Sequence, residues 1–249
     1  MAGLRLAITL LTAVPLPGSA ADGPVQPDRR TVAAALYWAP VIGLVLGAAA
    51  AGVLLACQAG HTGPLLGAVL AITVLALLTR GLHLDGLADL ADGLGSRKPP
   101  AQALEIMKRS DIGPFGVITL VLVLLIQVTA LARADQIGRG PVAIVAAAVA
   151  GRLAITFACR QGVPAARAGL GAMVAGAVHP LIGTLLTVTA VAGAAAVGWI
   201  FAAALAAGLV FSFALTAFAV RRLGGITCDV LGAIAETTAA ACLLVTAFS

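Results

Sequence analysis

VAAALYWAPVIGLVLGAAAAGVLLAC, residues Val32–Cys57, runs for 26 residues without an Asp, Glu, Lys, Arg or His. Wound as an α-helix it would be roughly 39 Å long, more than the hydrocarbon core of a bilayer requires. The rest of the chain repeats the pattern. Of its 249 residues 61% are hydrophobic and only 10% charged, and the mean hydropathy of +1.09 lies far outside the range of a water-soluble domain. Further apolar runs at 63–79, 113–132, 141–159, 180–198, 200–219 and 230–247 bring the expected spans to seven, with a split near Gly198. The 29 glycines, together with abundant alanine, suit closely approaching helices in lipid. The expected fold is therefore all-α: a polytopic integral membrane bundle forming one embedded domain over 1–249, with the lipid bilayer as its solvent.

Charge tests this map. Arg5, Arg29 and Arg30, then Arg80, Arg97, Lys98, Lys108 and Arg109, then Arg160 and Arg167, then Arg221 and Arg222 all fall on the side of the N-terminus. Only Arg133 and Arg139 fall on the other, and Arg152 lies inside a span. The positive-inside rule puts the N-terminus, the 80–112 loop and the 220–229 loop in the cytoplasm. The net charge of +5 follows from this bias, so nucleic-acid binding is not needed to explain it. Near the start, Arg5, the apolar run Leu6–Val14 and the small residues Gly18, Ser19 and Ala20 have the order of a signal peptide. Pro15 and Pro17 interrupt that run, which favours a short interfacial or re-entrant helix retained in the protein. Cys57, Cys159, Cys228 and Cys242 are widely spaced, with no CxxC pair, and indicate neither a disulfide framework nor a zinc site.

Against this apolar background HLDGLADLADGL, His83–Leu94, places three carboxylates within eight residues. At about 100° per residue Asp85, Asp89 and Asp92 form one stripe, while Leu84, Leu87, Leu90, Ala91 and Leu94 cover the other side. Like charges so close repel, and a bound divalent cation removes that penalty. Hard oxygen donors suit Mg²⁺, which keeps several waters and takes the oxygens of a substrate phosphate. An acidic face merely solvated at the interface is the simpler alternative. It is weakened because five of the ten acidic residues fall in this segment and one other.

That other segment is LGGITCDVLGAIAE, Leu223–Glu236, where Asp229 and Glu236 share a helical face seven residues apart. Glu236 falls at membrane depth, where an ionisable group faces a cavity, a partner or a substrate. Arg152 is its candidate partner, or else reaches a phosphate. Arg97, Lys98, Lys108 and Arg109, in the loop RKPPAQALEIMKRSDIGPFGV, are candidates to neutralise a diphosphate, with positive-inside charge as the competing explanation. Gly113, Pro114 and Gly116 are expected to shape the start of the third span. His83 points about 160° away from the aspartate stripe and is a weaker candidate ligand or base.

Taken together, LTAVPLPG, YWAPVIGLVLGA, RGLHLDGLADLADGL, MKRSDIGPFGV and LGGITCDVLGAIAE resemble the cobalamin synthase family, the adenosylcobinamide-GDP ribazoletransferases, from about residue 5 to the last span. The resemblance implies a Mg²⁺-dependent membrane enzyme that joins adenosylcobinamide-GDP to α-ribazole or its 5′-phosphate and releases GMP. Asp85, Asp89 and Asp92 match the family's acidic motif and are expected to be catalytic and metal-binding, while Asp229 and Glu236 match its C-terminal motif and are expected to complete the metal shell or orient the nucleophile, with Lys108 helping to hold the leaving phosphate. Two departures stand out: Arg109 and Asp111 exchange the charges usual in the family, and Cys228 stands where glycine is usual. A CDP-alcohol phosphatidyltransferase is the neighbouring alternative, but DGLADLADG lacks its Ala-Arg pair and its longer spacing. A cation-coupled transporter is the alternative from another class, and it would be expected to carry its acids at the midplane in two related halves. A homo-oligomer stays open.

Overall fold

The computed structural model describes residues 1–14, 16 and 27–248. Gly18, Ser19, Ala20, Pro15 and Pro17, on which the choice between a signal peptide and a retained helix turned, lie outside the described residues. Eleven helices are described: α1 (Ala2–Leu11), α2 (Arg29–Ala59), α3 (Pro64–Leu78), α4 (Leu82–Gly95), α5 (Pro100–Ile106), α6 (Pro114–Gln136), α7 (Gly140–Ala158), α8 (Leu170–Val174), α9 (Pro180–Val197), α10 (Trp199–Leu223) and α11 (Cys228–Ala247).

Six of these, α2, α6, α7, α9, α10 and α11, are long and apolar enough to cross a bilayer. At the expected span 63–79 the chain forms a bent pair, which brings the count to seven if it crosses as one broken span. The helix there, α3, has 15 residues, roughly 22 Å, and at its end the chain bends by 89° into α4. Arg80 and Gly81 make the bend in left-handed backbone, with φ of 54° and 66°. Turned at this angle, α4 packs against α6 and α11. The split near Gly198 is present, with α9 packing back onto α10.

The central helix is α7, which packs on α2, α10 and α11. Its approach to α2 is close because Gly43 and Gly47 face the backbone at Ala148 and Val145, where a Cβ would collide. By contrast α9 sits at the periphery, with Leu181, Leu185 and Val188 exposed for lipid. At the end carrying the N-terminus, one core joins Leu87 and Leu90 of α4 to Met107, Ile226 and Ile234. A second core, around Leu54, Leu131, Ile144, Leu205 and Leu243, fills the rest of the bundle. The first core holds α4 in place, and its polar edge becomes the site. All four cysteines are free.

Candidate active site

The leucine face of α4 is buried, which leaves Asp85 exposed and Asp89 half-buried on the opposite edge. Two glycines decide what meets that edge. A Cβ on Gly86 would lie 2.8 Å from the Asp229 Cα, and one on Gly232 would lie 2.9 Å from the His83 carbonyl oxygen. Only glycine lets the backbones of α4 and α11 cross so closely, and the crossing sets Asp229 beside the α4 carboxylates. Thr227 caps α11, accepting from the Val230 N–H at 3.2 Å, and its hydroxyl donates to Asp229 Oδ2 at 3.1 Å.

Arg167 completes this corner. Its Nη2 lies 2.8 Å from Asp229 Oδ2, and its Nη1 donates to the Leu104 carbonyl at 2.8 Å, which ties α5 to α11. The Arg167 loop is held by backbone bonds from Ala166 N–H to the Ile226 carbonyl (3.0 Å) and from Ile226 N–H to the Pro164 carbonyl (2.9 Å). The sequence reading missed Arg167, because it passed as one of many positive-inside arginines. Burial, and then the charges of Asp85, Asp229 and Asp92, push the Asp89 carboxyl up to about 7, while Arg167 acts the other way. The site therefore carries more negative charge than Arg167 balances. Neither Asp85 nor Asp89 has an ion-pair partner among the described residues.

Three expected site residues are placed elsewhere. Asp92 turns toward the start of α6, where one oxygen accepts from the Gly113 N–H (2.7 Å) and the other from the Gly116 N–H (2.9 Å). It is the N-terminal cap that α6 lacks of its own, and side chains at Gly113 or Gly116 would occupy its space. Glu236 lies roughly 10 Å deeper along α11 than Asp229, and its Oε2 accepts from Gln127 Nε2 at 2.9 Å. Arg152 is buried, faces the same small cavity as Glu236, and brings its Nη2 to 3.4 Å from His83 Nδ1. It is thus enclosed within the bundle, away from any approaching phosphate. Among the described residues no three Asp, Glu, His or Cys side chains gather closely enough to enclose a metal ion. What stands at the surface is an open pair, Asp85 and Asp89, with Asp229 alongside. Lys108 is exposed just after α5, and Arg97 and Lys98 are exposed just after α4.

Beside this cluster lies an apolar pocket of about 200 Å³, walled by α1, α2, α4, α7, α8 and α11, with Asp85, Asp229 and His83 in its lining. An oxygen-rich edge next to a dry pocket can bind a cation and an organic substrate side by side.

The sequence model of the family described as cobalamin-5-phosphate synthase matches residues 3–247. A protein of Frankia casuarinae named adenosylcobinamide-GDP ribazoletransferase is 45% identical, over 98% of this chain and 94% of its own length. Proteins of the same name from a Nocardioides species and from Chlorobaculum tepidum are 39% and 38% identical, over 96% and 99% of this chain and 96% and 95% of theirs. No solved structure matches. By sequence from end to end the chain belongs to the cobalamin-5-phosphate synthase family.

Proposed function

We propose that the protein is a membrane-embedded transferase that moves the phosphocobinamide group of adenosylcobinamide-GDP onto α-ribazole or its 5′-phosphate, releasing GMP. The observation that carries the reading to this chain's own residues is the apposition of Asp85 and Asp89 on α4 with Asp229 on α11, beside a pocket that Asp85 and Asp229 line. A ribose hydroxyl of the acceptor attacks the phosphorus on the cobinamide side of the diphosphate. As the new P–O bond forms, the bond to the bridging oxygen breaks and GMP leaves with the electron pair. The protein has to align the reacting groups and balance the charge that builds on the leaving oxygen.

The donor set fits Mg²⁺, because two free carboxylates with a third alongside leave room for waters and for substrate oxygens. Bound there, Mg²⁺ would neutralise the diphosphate and the developing charge. Asp85 and Asp89 would hold the ion, with Asp229 fixed in orientation by Arg167 and Thr227. An oxygen of Asp89 takes the proton of the attacking hydroxyl. Lys108 steadies the leaving phosphate from the loop before α6. Asp92, Glu236 and Arg152 support the site without touching substrate. The charge asymmetry of the loops supports an orientation with this face and the N-terminus toward the cytoplasm.

The test is GMP release from adenosylcobinamide-GDP by membranes carrying the protein, with and without α-ribazole 5′-phosphate, and with Mg²⁺ or EDTA. Release that needs both acceptor and metal is the expected result. Correctly inserted protein that releases none, or releases GMP without acceptor, overturns the reading.

A further inference from the structure

The pocket beside the carboxylates is divided by its chemistry. Leu36, Ile155, Met173 and Leu231 make its apolar walls, and Asp85 and Asp229 stand in its lining where it meets the acidic edge. His83 also lines it. An arginine only donates hydrogen bonds, so the contact from Arg152 Nη2 makes His83 Nδ1 the acceptor and puts the ring proton on Nε2. The pocket therefore sets one imidazole among apolar walls.

We propose that this pocket seats the flat aromatic base of the acceptor nucleoside, leaving its ribose at the edge where Asp85 and Asp229 meet Asp89. The proposal rests on the transferase reading and deepens it, since neither the family nor its substrates say where the base goes. Size and polarity select among the groups the reaction brings to the site. A dry cavity of about 150 Å³ accepts benzene, so the roughly 200 Å³ here accepts a bicyclic base but not a corrinoid macrocycle. Guanine would bring several donors and acceptors against leucine, isoleucine and methionine, each costing about 1–3 kcal/mol if left unpaired. The benzimidazole of ribazole has a single acceptor nitrogen and an otherwise apolar ring. A hydrophobic slot with one imidazole in its lining matches that inventory.

Cys228 gives a readout independent of turnover. It lines the pocket and is exposed, whereas Cys57, Cys159 and Cys242 are buried. In detergent-solubilised wild-type protein, alkylation of Cys228 by N-ethylmaleimide, followed by mass spectrometry, should slow at least fivefold with α-ribazole and not with GMP. Met173→Trp, which fills the pocket from the short helix α8, should raise the KM for α-ribazole 5′-phosphate at least tenfold and leave the KM for adenosylcobinamide-GDP within twofold. Protection by GMP, or a rise in the donor KM alone, would assign the pocket to the nucleotide and overturn the proposal. Equal alkylation rates with and without α-ribazole, in protein that releases GMP normally, would overturn it while the transferase reading stands. Protection by α-ribazole in protein that releases no GMP would keep the base site and remove the reaction.

Discussion

Two polar groups lie one above the other along α11, and they are built from the same residue types. The outer one, Asp85, Asp89 and Asp229 with Arg167, opens onto the end of the bundle and onto a pocket. The inner one, Glu236 and Gln127 with Arg152 and, through it, His83, surrounds a cavity of about 30 Å³, room for one or two waters. Outside, carboxylates outnumber the cation and two have no ion-pair partner among the described residues. Inside, one carboxylate faces one guanidinium, and the amide and imidazole take up part of the remaining hydrogen-bonding capacity. Excess like charge has to be balanced by something from solution, whereas a balanced buried group balances itself. The outer cluster is thus suited to chemistry and the inner one to joining α4, α6, α7 and α11.

The widest gap between the two should appear on neutralising single carboxylates. Asp85→Asn and Asp89→Asn should each lower kcat for GMP release by about 10²–10⁴, with insertion and thermal midpoint in detergent close to wild type. Glu236→Gln should keep turnover within about tenfold, since an amide still meets Gln127 and the cavity. If Glu236→Gln abolished turnover in folded protein, the inner group would belong to the reaction and the comparison would fail.

Stability should respond the other way round. Arg152→Met leaves Glu236 facing the cavity without its cation and should cost about 1–3 kcal/mol, read as a lower midpoint in detergent. Adding Glu236→Gln should recover part of that loss, because no uncompensated carboxylate remains. A double variant less stable than Arg152→Met alone would show that the two side chains do not act as a pair.

A smaller effect concerns protons. The ordinary carboxyl value of 3.8 is raised at Asp89 to about 7, chiefly by burial and then by its acidic neighbours. In metal-free protein this sign makes folding most favourable below pH 4, and the contribution is lost as pH climbs through 7, since the unfolded chain ionises first. Metal and proton compete for the same oxygens, so the Mg²⁺ concentration for half-maximal GMP release should fall about tenfold between pH 6 and pH 8. A flat dependence over that range would remove Asp89 from the metal site.

Much of this was readable in the sequence. Long uncharged runs mark helices in lipid because only a helix satisfies its backbone within one segment there, and a carboxylate stripe opposite leucines marks a helix with one wet edge. The parts that were hidden depend on depth and on distant partners. Helical periodicity puts Asp229 and Glu236 on one face, but two turns of helix separate a surface group from an interior one. Arg167 reaches Asp229 only because backbone bonds at Ile226 bring two loops together, and nothing local distinguishes it from the other loop arginines. The end of α3 turns on positive φ at Arg80 and Gly81, and arginine gives no sign of that conformation in a sequence.

Asp92 is the subtlest case, because its own helix groups it with Asp85 and Asp89 while its partners lie more than twenty residues on. The stretch Gly113–Gly116 explains the difference. A helix that begins on glycine has no side chain to cap its first N–H groups, and Gly116 at the third helical position leaves the space a carboxylate needs. Asp92→Asn keeps one acceptor oxygen and turns an NH₂ toward the other backbone donor, so one cap bond is lost. The expected cost is about 1 kcal/mol, with faster hydrogen exchange at residues 113–117 and GMP release reduced only a few-fold. A loss as deep as that of Asp89→Asn, with exchange at the start of α6 unchanged, would mean that the three aspartates work as one stripe after all. The predicted pattern instead assigns the third aspartate to holding α6 against α4, so that the helix carrying the other two cannot shift beneath the substrate.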